Sequence, residues 1–281
     1  MSHAHGDMTL PNLFIIGAAK SGTTSLHAYL SDHPEISMAE PKEPQIFSAA
    51  QWEDELGTYV EMLSADAPIR GESSTAYTFY PFIQGIPERI AASCPDARFI
   101  YMVRDPVQRM IAHYVQGFAQ MTEGRTIATV LREFDQPANQ FVAASRYASQ
   151  LEQWLRHFDR ERFLILEQDD LRERRQATMD RVFEFLGVEA IRITHADYEL
   201  NATADKSRMT PAAARFWFAF APLTRRLPSR ANKALESLMP AESVGRPLLD
   251  EGLRTALEDH LRGEAERFRQ MTGMAFESWS V

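Results

Sequence analysis

The chain has 281 residues, of which 44% are hydrophobic and 25% charged, a composition that excludes wholesale disorder and suits one large α/β domain or two small ones. Its formal net charge of -9 argues against a nucleic-acid partner, and its single cysteine, Cys94, excludes an intramolecular disulfide. Residues 1–12 lack the pattern of a signal peptide, and no apolar run is long enough for a transmembrane helix, so we expect a cytoplasmic protein.

The first predicted elements are a strand and a helix. Residues 13–18, LFIIGA, form a short apolar run with branched side chains, which is typical of a buried parallel strand. In the segment 23–34, TTSLHAYLSDHP, Leu26 and Leu30 stand four residues apart. This spacing predicts a helix that closes near Pro34.

Further strands alternate with helices along the chain. The run 97–106, ARFIYMVRDP, predicts a second buried strand, and 107–118 has the spacing of a helix. A third strand is predicted over 162–171, followed by a helix over 174–187 with Gly187 as its C-cap. The alternation predicts an α/β fold whose parallel sheet has helices on both faces. Ligands of such sheets bind at the carboxyl ends of the strands.

The two ends of the chain differ from this pattern. Residues 1–11 are predicted to be a flexible tail, and 12–281 a single domain whose part 209–281 is mainly helical. The segment 214–235 is apolar and then basic, which favours a packing or lid helix, with peripheral membrane contact or an acceptor wall as alternatives. Residues 248–273 predict a polar amphipathic helix.

The turn after the first strand carries the strongest chemical signal. A Walker A loop places its lysine directly after the second glycine, whereas here Lys20 precedes Gly22. The loop is therefore not an ordinary nucleoside-triphosphate loop. It nevertheless combines a helix N-terminus, hydroxyl side chains and a cation, which together can bind an anion. The alternative is a strand–helix turn whose Ser and Thr residues only cap the helix.

Three motifs together resemble the sulfotransferase superfamily that uses 3′-phosphoadenosine 5′-phosphosulfate. They are the loop KSGTTS (20–25), the segment YMVRDPVQRMIAHY (101–114) and the segment MAEPKEPQIFS (38–48). The nearest members are the heparan-sulfate-type enzymes and their bacterial relatives. The likeness extends over most of the chain, through GESSTAYTFYP, RYASQLEQWLRHF, LILEQDDLRER and MTGMAFESWS. It implies a P-loop-like sheet and sulfuryl transfer to a hydroxyl or amine of a small-molecule, lipid or sugar acceptor.

The resemblance also implies which residues bind the cofactor. Those of the first loop would hold the 5′-phosphosulfate: Lys20, Ser21, Gly22, Thr23, Thr24 and Ser25. Arg104 would bind the 3′-phosphate, beneath a closing loop that contains Lys206, Ser207 and Arg208. Ala112 stands where the family has a serine, so one 3′-phosphate donor is missing or replaced. Arg109 is equally well explained as a structural ion-pair partner of Asp105.

Catalysis requires a base that takes the proton of the attacking acceptor. By the resemblance this base is Glu43, with Lys42 steering charge and Lys20 stabilising the leaving phosphate. His27 and His113 are rival bases. No metal ligand cluster is evident, and none is needed. The apolar run FWFAF (216–220) favours a hydrophobic or amphiphilic small acceptor, whereas the sequence does not predict the oligomeric state.

Two other functions remain open at this stage. A P-loop-type kinase would need a magnesium-binding aspartate at a strand end, for which Asp169 or Asp170 is the candidate. A catalytically inactive relative would keep the nucleotide pocket alone, and Ala112 would be its first sign of decay. Magnesium-dependent hydrolysis would favour the kinase, and nucleotide binding without transfer would favour the inactive relative.

Overall fold

The fold is that of a computed structural model, which describes residues 9–194, 206–224, 235 and 238–281. Its centre is a five-stranded, wholly parallel sheet in the order β2-β3-β1-β4-β5. These strands are β1 (Leu13–Gly17), β2 (Ile36–Met38), β3 (Ile69–Ser73), β4 (Arg98–Val103) and β5 (Phe163–Glu167). A separate antiparallel pair consists of β6 (Ser207–Met209) and β7 (Ala241–Ser243).

Helices connect the strands and cover the sheet. In chain order they are α1 (Thr23–Ser31), α2 (Trp52–Glu55), α3 (Tyr59–Met62), α4 (Ile86–Ser93), α5 (Pro106–Ala119), α6 (Ile127–Arg132), α7 (Gln140–Ala143), α8 (Tyr147–Trp154), α9 (Gln168–Glu173), α10 (Arg175–Leu186), α11 (Pro211–Thr224) and α12 (Glu251–Thr272). Short 3-10 turns lie at Ile46–Ser48, Leu56–Thr58, Thr75–Thr78 and Arg160–Arg162. None of the helices in these described ranges is long and apolar enough to cross a membrane.

The alternating side chains of β1 build a core on each side of the sheet. Phe14 and Ile16 belong to the cluster that includes residues of α5, α8 and α12. Leu13 and Ile15 belong to the opposite cluster, which includes residues of α1 and α10. Every residue of β1 is buried, because it lies between β3 and β4 with helices on both faces.

Most predicted elements are confirmed. The strands expected near 13–18, 97–106 and 162–171 are β1, β4 and β5, and Gly187 ends α10 in the left-handed conformation. The sequence did not predict β2, β3 or the pair β6–β7. The predicted tail lies largely in residues 1–8, and part of the predicted closing loop in 201–205, both outside the described residues.

Candidate active site

The loop between β1 and α1 has a backbone suited to binding an anion. Lys20 and Gly22 have φ values of 70° and 89°, both in the left-handed region. Gly22 stands at the N-cap position of α1 without a side-chain cap. The first N–H groups of the helix therefore point out of the loop without a capping side chain. A Cβ at Gly22 would meet Gln168 and Met102 at 3.4 Å, so its conformation, rather than lack of space, favours glycine here.

Gly17 lets the start of this loop lie close to the turn Thr75–Thr78, which follows β3. Its φ is 146°, and a Cβ there would overlap the hydroxyl of Thr78. Only glycine allows this approach of the two segments. Next in the loop, the Ser21 hydroxyl is fully buried and makes no hydrogen bond within the described part of the protein. An unpartnered buried hydroxyl is costly, and a bound anion would supply the missing acceptor.

Lys20 lies in a strongly positive environment. Burial, followed by the charges of Lys206 and Arg104, lowers the pKa of the Lys20 ammonium to about 8. The carboxylate of Glu43 acts in the opposite direction and raises that pKa. Because such effects fall off with distance, Lys206, Arg104 and Glu43 all lie near the Lys20 side chain. The structure thus brings Lys20 close to residues that are distant from it in the sequence, of which Lys206 is the farthest.

Arg104 joins the loop to the end of β4. Its Nη1 donates to the backbone carbonyl of Lys20 at 3.1 Å, and its own carbonyl accepts from the hydroxyl of Tyr147 at 3.0 Å. Burial lowers the pKa of the Arg104 guanidinium, as does the nearby charge of Arg246. Both predicted phosphate ligands, Lys20 and Arg104, therefore lie at the carboxyl edge of adjacent strands.

Arg246 is a candidate ligand that sequence analysis missed. It follows β7, is exposed, and donates from Nη2 to the side-chain oxygen of Gln108 on α5. This contact, together with its influence on the pKa of Arg104, puts its guanidinium beside the same edge of the sheet. A single arginine in an irregular segment, 142 positions after Arg104 (246 − 104), has no local pattern that would reveal it.

The structure separates the three residues of the predicted closing loop. Lys206 lies close enough to Lys20 to lower its pKa. Ser207 is exposed on β6, and Arg208 stacks on the ring of Phe118 with its guanidinium carbon 3.8 Å from the ring centroid. Lys206 therefore lies near the Lys20 loop, whereas Arg208 contacts Phe118 of α5. Their roles in binding remain predictions.

Glu43 and Lys42 form a close pair beside Lys20. Lys42 Nζ lies 2.7 Å from Glu43 Oε1, and the Thr75 hydroxyl donates to the same oxygen at 3.3 Å. The Glu43 backbone N–H donates to the carbonyl of Ser73 at 3.0 Å, and its φ is 62°. A left-handed conformation is uncommon for glutamate, so its surroundings hold this residue in place. The carboxylate keeps about a third of its surface exposed, at 34%.

The rival bases have other partners. Burial lowers the pKa of His27, whose Nε2 lies 3.2 Å from Glu40 Oε1. Burial and the charges of Arg109 and Lys20 hold the pKa of His113 well below its usual value. His113 Nδ1 lies 3.3 Å from an Arg109 nitrogen, and since arginine can only donate, Nδ1 accepts and the proton is on Nε2. Both histidines are therefore neutral and weakly basic at pH 7.

Arg109 is a structural residue. It is fully buried, and it donates to Ser145 Oγ at 2.6 Å, to the carbonyl of Phe141 at 2.6 Å and to that of Ala19 at 3.4 Å. The expected ion pair with Asp105 is wrong. Asp105 instead caps α5 by accepting from the backbone N–H of Gln108 at 2.7 Å. Through its hydrogen bond to Ala19, Arg109 therefore holds the Lys20 loop in place.

The predicted position Ala112 and Glu72 of the GESSTAYTFYP segment are both buried. Ala112 lies on α5 with 3% of its surface exposed. Glu72 on β3 is fully buried and accepts a hydrogen bond from the Tyr59 hydroxyl. Burial raises the pKa of the Glu72 carboxyl to about 7. Glu72 therefore stiffens the strand whose next residue, Ser73, holds the backbone of Glu43.

The aspartates required by a kinase are already paired. Asp170 forms an ion pair with Arg174 and lies 4.0 Å from Arg181, and Asp169 lies 3.2 Å from Arg172. Among the described residues, no group of three or more His, Cys, Asp and Glu side chains could hold a metal ion. The site is rich in cations, and the carboxylate of Glu43 lies close to Lys20.

The parallel sheet with helices on both faces defines an α/β protein, and the cationic loop at its carboxyl edge is suited to binding an anion. A family model described as "Sulfotransferase domain" matches residues 10–213. The chain is 30% identical to heparan sulfate glucosamine 3-O-sulfotransferase 3B1 of Homo sapiens over 70% of this chain and 51% of that protein. It is 29% identical to heparan sulfate glucosamine 3-O-sulfotransferase 6 of Homo sapiens over 96% of this chain and 74% of that protein.

The same fold occurs in a solved structure. The sulfotransferase from Alicyclobacillus acidocaldarius superposes with a TM-score of 0.69 and 21% identity, covering 98% of this chain and all of that one. The family match covers well over half of the chain, and the chain therefore belongs to the sulfotransferase family. The chain spans about half the length of heparan sulfate glucosamine 3-O-sulfotransferase 3B1.

Proposed function

We propose that this protein is an enzyme that transfers the sulfuryl group of 3′-phosphoadenosine 5′-phosphosulfate to an acceptor hydroxyl or amine. One observation carries the proposal: the Glu43 carboxylate lies next to Lys20, within a group of cations at the carboxyl edge of the sheet. A phosphate-binding loop alone would serve many ligands. A carboxylate beside the cation is what proton removal from an acceptor requires.

The binding residues fit a ligand with two separate phosphates. Lys20, the uncapped start of α1 and the unpartnered Ser21 hydroxyl suit the 5′-phosphosulfate. Arg104 and Arg246 suit the 3′-phosphate, since guanidinium groups bind phosphate in a fixed two-pronged geometry. When bound, the donor supplies a sulfuryl group activated by a phosphate leaving group. Lys20 would stabilise the charge that develops on that phosphate.

Glu43 is proposed as the base and Lys42 as the residue that orients it. Lys42 and Thr75 both contact Oε1, so Oε2 is the oxygen that would take the acceptor's proton. The Ser73 carbonyl and the left-handed backbone at Glu43 hold the group in one position, which limits the entropy lost on reaction.

The proposed acceptor is a small-molecule or amphiphilic compound with a sugar, lipid or aryl hydroxyl, or an amine. The relatives named above are glucosamine 3-O-sulfotransferases, which supports a sugar hydroxyl as the first class to screen. The formal charge of -9 disfavours a long polyanionic acceptor. A cytoplasmic location is part of the same proposal.

The test is a transfer assay with sulfur-labelled donor and a panel of amino sugars, phenols, sterols and amines. The proposal expects labelled product from at least one class, with equal formation of adenosine 3′,5′-bisphosphate and no need for added magnesium. Release of phosphate from ATP, dependent on magnesium, would contradict it.

A further inference from the structure

Helix α11 exposes apolar residues, which an ordinary surface helix would bury. Its exposed positions are Ala212, Arg215, Phe216, Ala219 and Phe220, which recur at the spacing of one helical face. The exposed surface reaches 57% for Phe216 and 45% for Phe220. Surface helices normally present polar side chains to solvent on such a face. Among the positions of α11 whose exposure is described, the solvent-facing stripe is apolar except for Arg215.

The opposite side of α11 packs against the rest of the protein. Ala213 is buried and Trp217 is part-buried, one helical turn apart. The two exposed phenylalanines contact one another instead, with ring centroids 4.5 Å apart. The aromatic pair therefore faces outward. Further exposed leucines, Leu235, Leu238 and Leu248, lie in the same part of the chain.

The segment of the sequence that contains this helix carries charge of one sign. Between residues 206 and 235 the sequence contains no Asp or Glu, although the whole chain carries a formal charge of -9. Its ionisable side chains are all cationic: Lys206, Arg208, Arg215, Arg225, Arg226, Arg230 and Lys233. A basic segment with exposed aromatic residues is the composition of helices that lie in the interface of an anionic bilayer.

We propose that the exposed face of α11 docks on an anionic phospholipid surface. Phe216 and Phe220 enter the boundary between headgroups and acyl chains, and Arg215 contacts the lipid phosphates. With 14 residues the helix is too short to span a bilayer, so it lies in the plane of the surface. Lys206, which lies near Lys20, stands five residues before the start of α11, and docking therefore brings the candidate active site near the membrane.

Two observations favour lipid over other occupants. A contact between two copies through this face would bring two segments of like charge together, which opposes association. A small amphiphile would need a concave site. Two cavities among the described residues, of about 700 and 400 Å³, are not lined by any residue of α11. The inference does not depend on sulfuryl transfer.

The test is sedimentation of the full chain with vesicles of phosphatidylcholine, with and without phosphatidylglycerol, at low and high salt. The proposal expects binding to the anionic vesicles that weakens with salt. Replacing both rings, in Phe216→Ser with Phe220→Ser, should lower the partition coefficient at least about tenfold, given the apolar surface lost. Arg215→Gln should weaken binding to anionic vesicles only.

Val60→Ser is the matched control, because Val60 is also an exposed apolar residue, at 52%, and lies on α3. It should bind vesicles as the parent does. The Phe216→Ser single variant serves if the double variant fails to fold. Absence of sedimentation with anionic vesicles, or equal sedimentation of the ring variants, would overturn the proposal. So would a parent dimer, seen by light scattering, that the ring variants abolish.

Discussion

The guanidinium of Arg104 donates from Nη1 to the backbone carbonyl of Lys20 at 3.1 Å. Two cations from the ends of neighbouring strands are thereby held side by side, and the charge of Arg104 lowers the pKa of Lys20. Like charges in a partly buried site raise the free energy of the unliganded protein. A polyanionic ligand removes that repulsion, and this relationship leads to the first prediction.

Lys20 is predicted to take up a proton when adenosine 3′,5′-bisphosphate binds above pH 8. The pKa of Lys20 is lowered to about 8 in the free protein, so the ammonium loses its proton as the pH rises further. Bound phosphate restores the charged form, and binding at about pH 9 should therefore take up close to one proton through Lys20, whereas Lys20 takes up none at about pH 6.5. Calorimetry in buffers of different ionisation enthalpy measures this number. Lys20→Gln should abolish the uptake, and an unchanged uptake in that variant would contradict the assignment.

Glu43→Gln is predicted to lower turnover by at least about a hundredfold, because the amide cannot accept the acceptor's proton. Binding of adenosine 3′,5′-bisphosphate should stay within about twofold, since the contacts to Lys42 and Thr75 need only an oxygen. Glu40→Gln is the control, as its carboxylate lies in the same loop but contacts His27. Retention of more than about a tenth of the parent rate in Glu43→Gln would remove this residue as the base.

Arg246→Gln is predicted to weaken adenosine 3′,5′-bisphosphate binding by about ten- to a hundredfold, which is the loss of one charge-assisted bond. Binding of adenosine 5′-monophosphate, which lacks the 3′-phosphate, should change by less than about threefold. Arg262→Gln is the matched control, since Arg262 is an exposed arginine of α12 that pairs with Asp259. Equal losses for both nucleotides would show that Arg246 does not read the 3′-phosphate.

Ala112→Ser is predicted to have opposite effects on the free and the bound protein. Ala112 is buried, so an added hydroxyl without a partner should lower the melting temperature of the unliganded protein. If the 3′-phosphate lies near α5, the hydroxyl should strengthen its binding by at most about 1.5–3 kcal/mol. Titration with the 3′,5′-bisphosphate and with the 5′-monophosphate separates the two effects. Unchanged affinity for both would mean that another group already fills this position.

Glu72 is predicted to make the protein less stable as the pH rises. Burial raises its pKa in the folded state to about 7, above its usual value of 4.5, so its contribution to stability is complete below 4.5 and is lost as the pH passes 7. From this group alone, the free energy of unfolding should fall by about 3 kcal/mol between pH 4.5 and 9. Urea unfolding of the parent and of Glu72→Gln measures the difference. Equal slopes against pH in the two proteins would refute the prediction.

Sequence patterns predicted the strands that consist mainly of apolar residues. β1 and β4 are continuous runs of large apolar residues, and the Lys20 loop follows directly from the end of one of them. β3 escaped notice because its buried residues include Gly71, Glu72 and Ser73, which are not apolar. Hydrophobic periodicity does not detect such a strand.

The position of Arg246 and the orientation of α11 depend on tertiary packing. The segment 214–235 was predicted to be a packing or lid helix, yet Phe216 and Phe220 face outward. Its run of aromatic residues shows that the helix is apolar but not which face the protein covers. Arg246 reaches the site only because β7 pairs with β6 beside α5.

Titration calorimetry with adenosine 3′,5′-bisphosphate, compared with ATP and magnesium, tests the central claim most directly. The account predicts binding of the bisphosphate without any metal, at least about tenfold tighter than binding of ATP, and weakened in Lys20→Gln and Arg104→Gln. Tighter binding of magnesium–ATP, or bisphosphate binding that is indifferent to both substitutions, would contradict it.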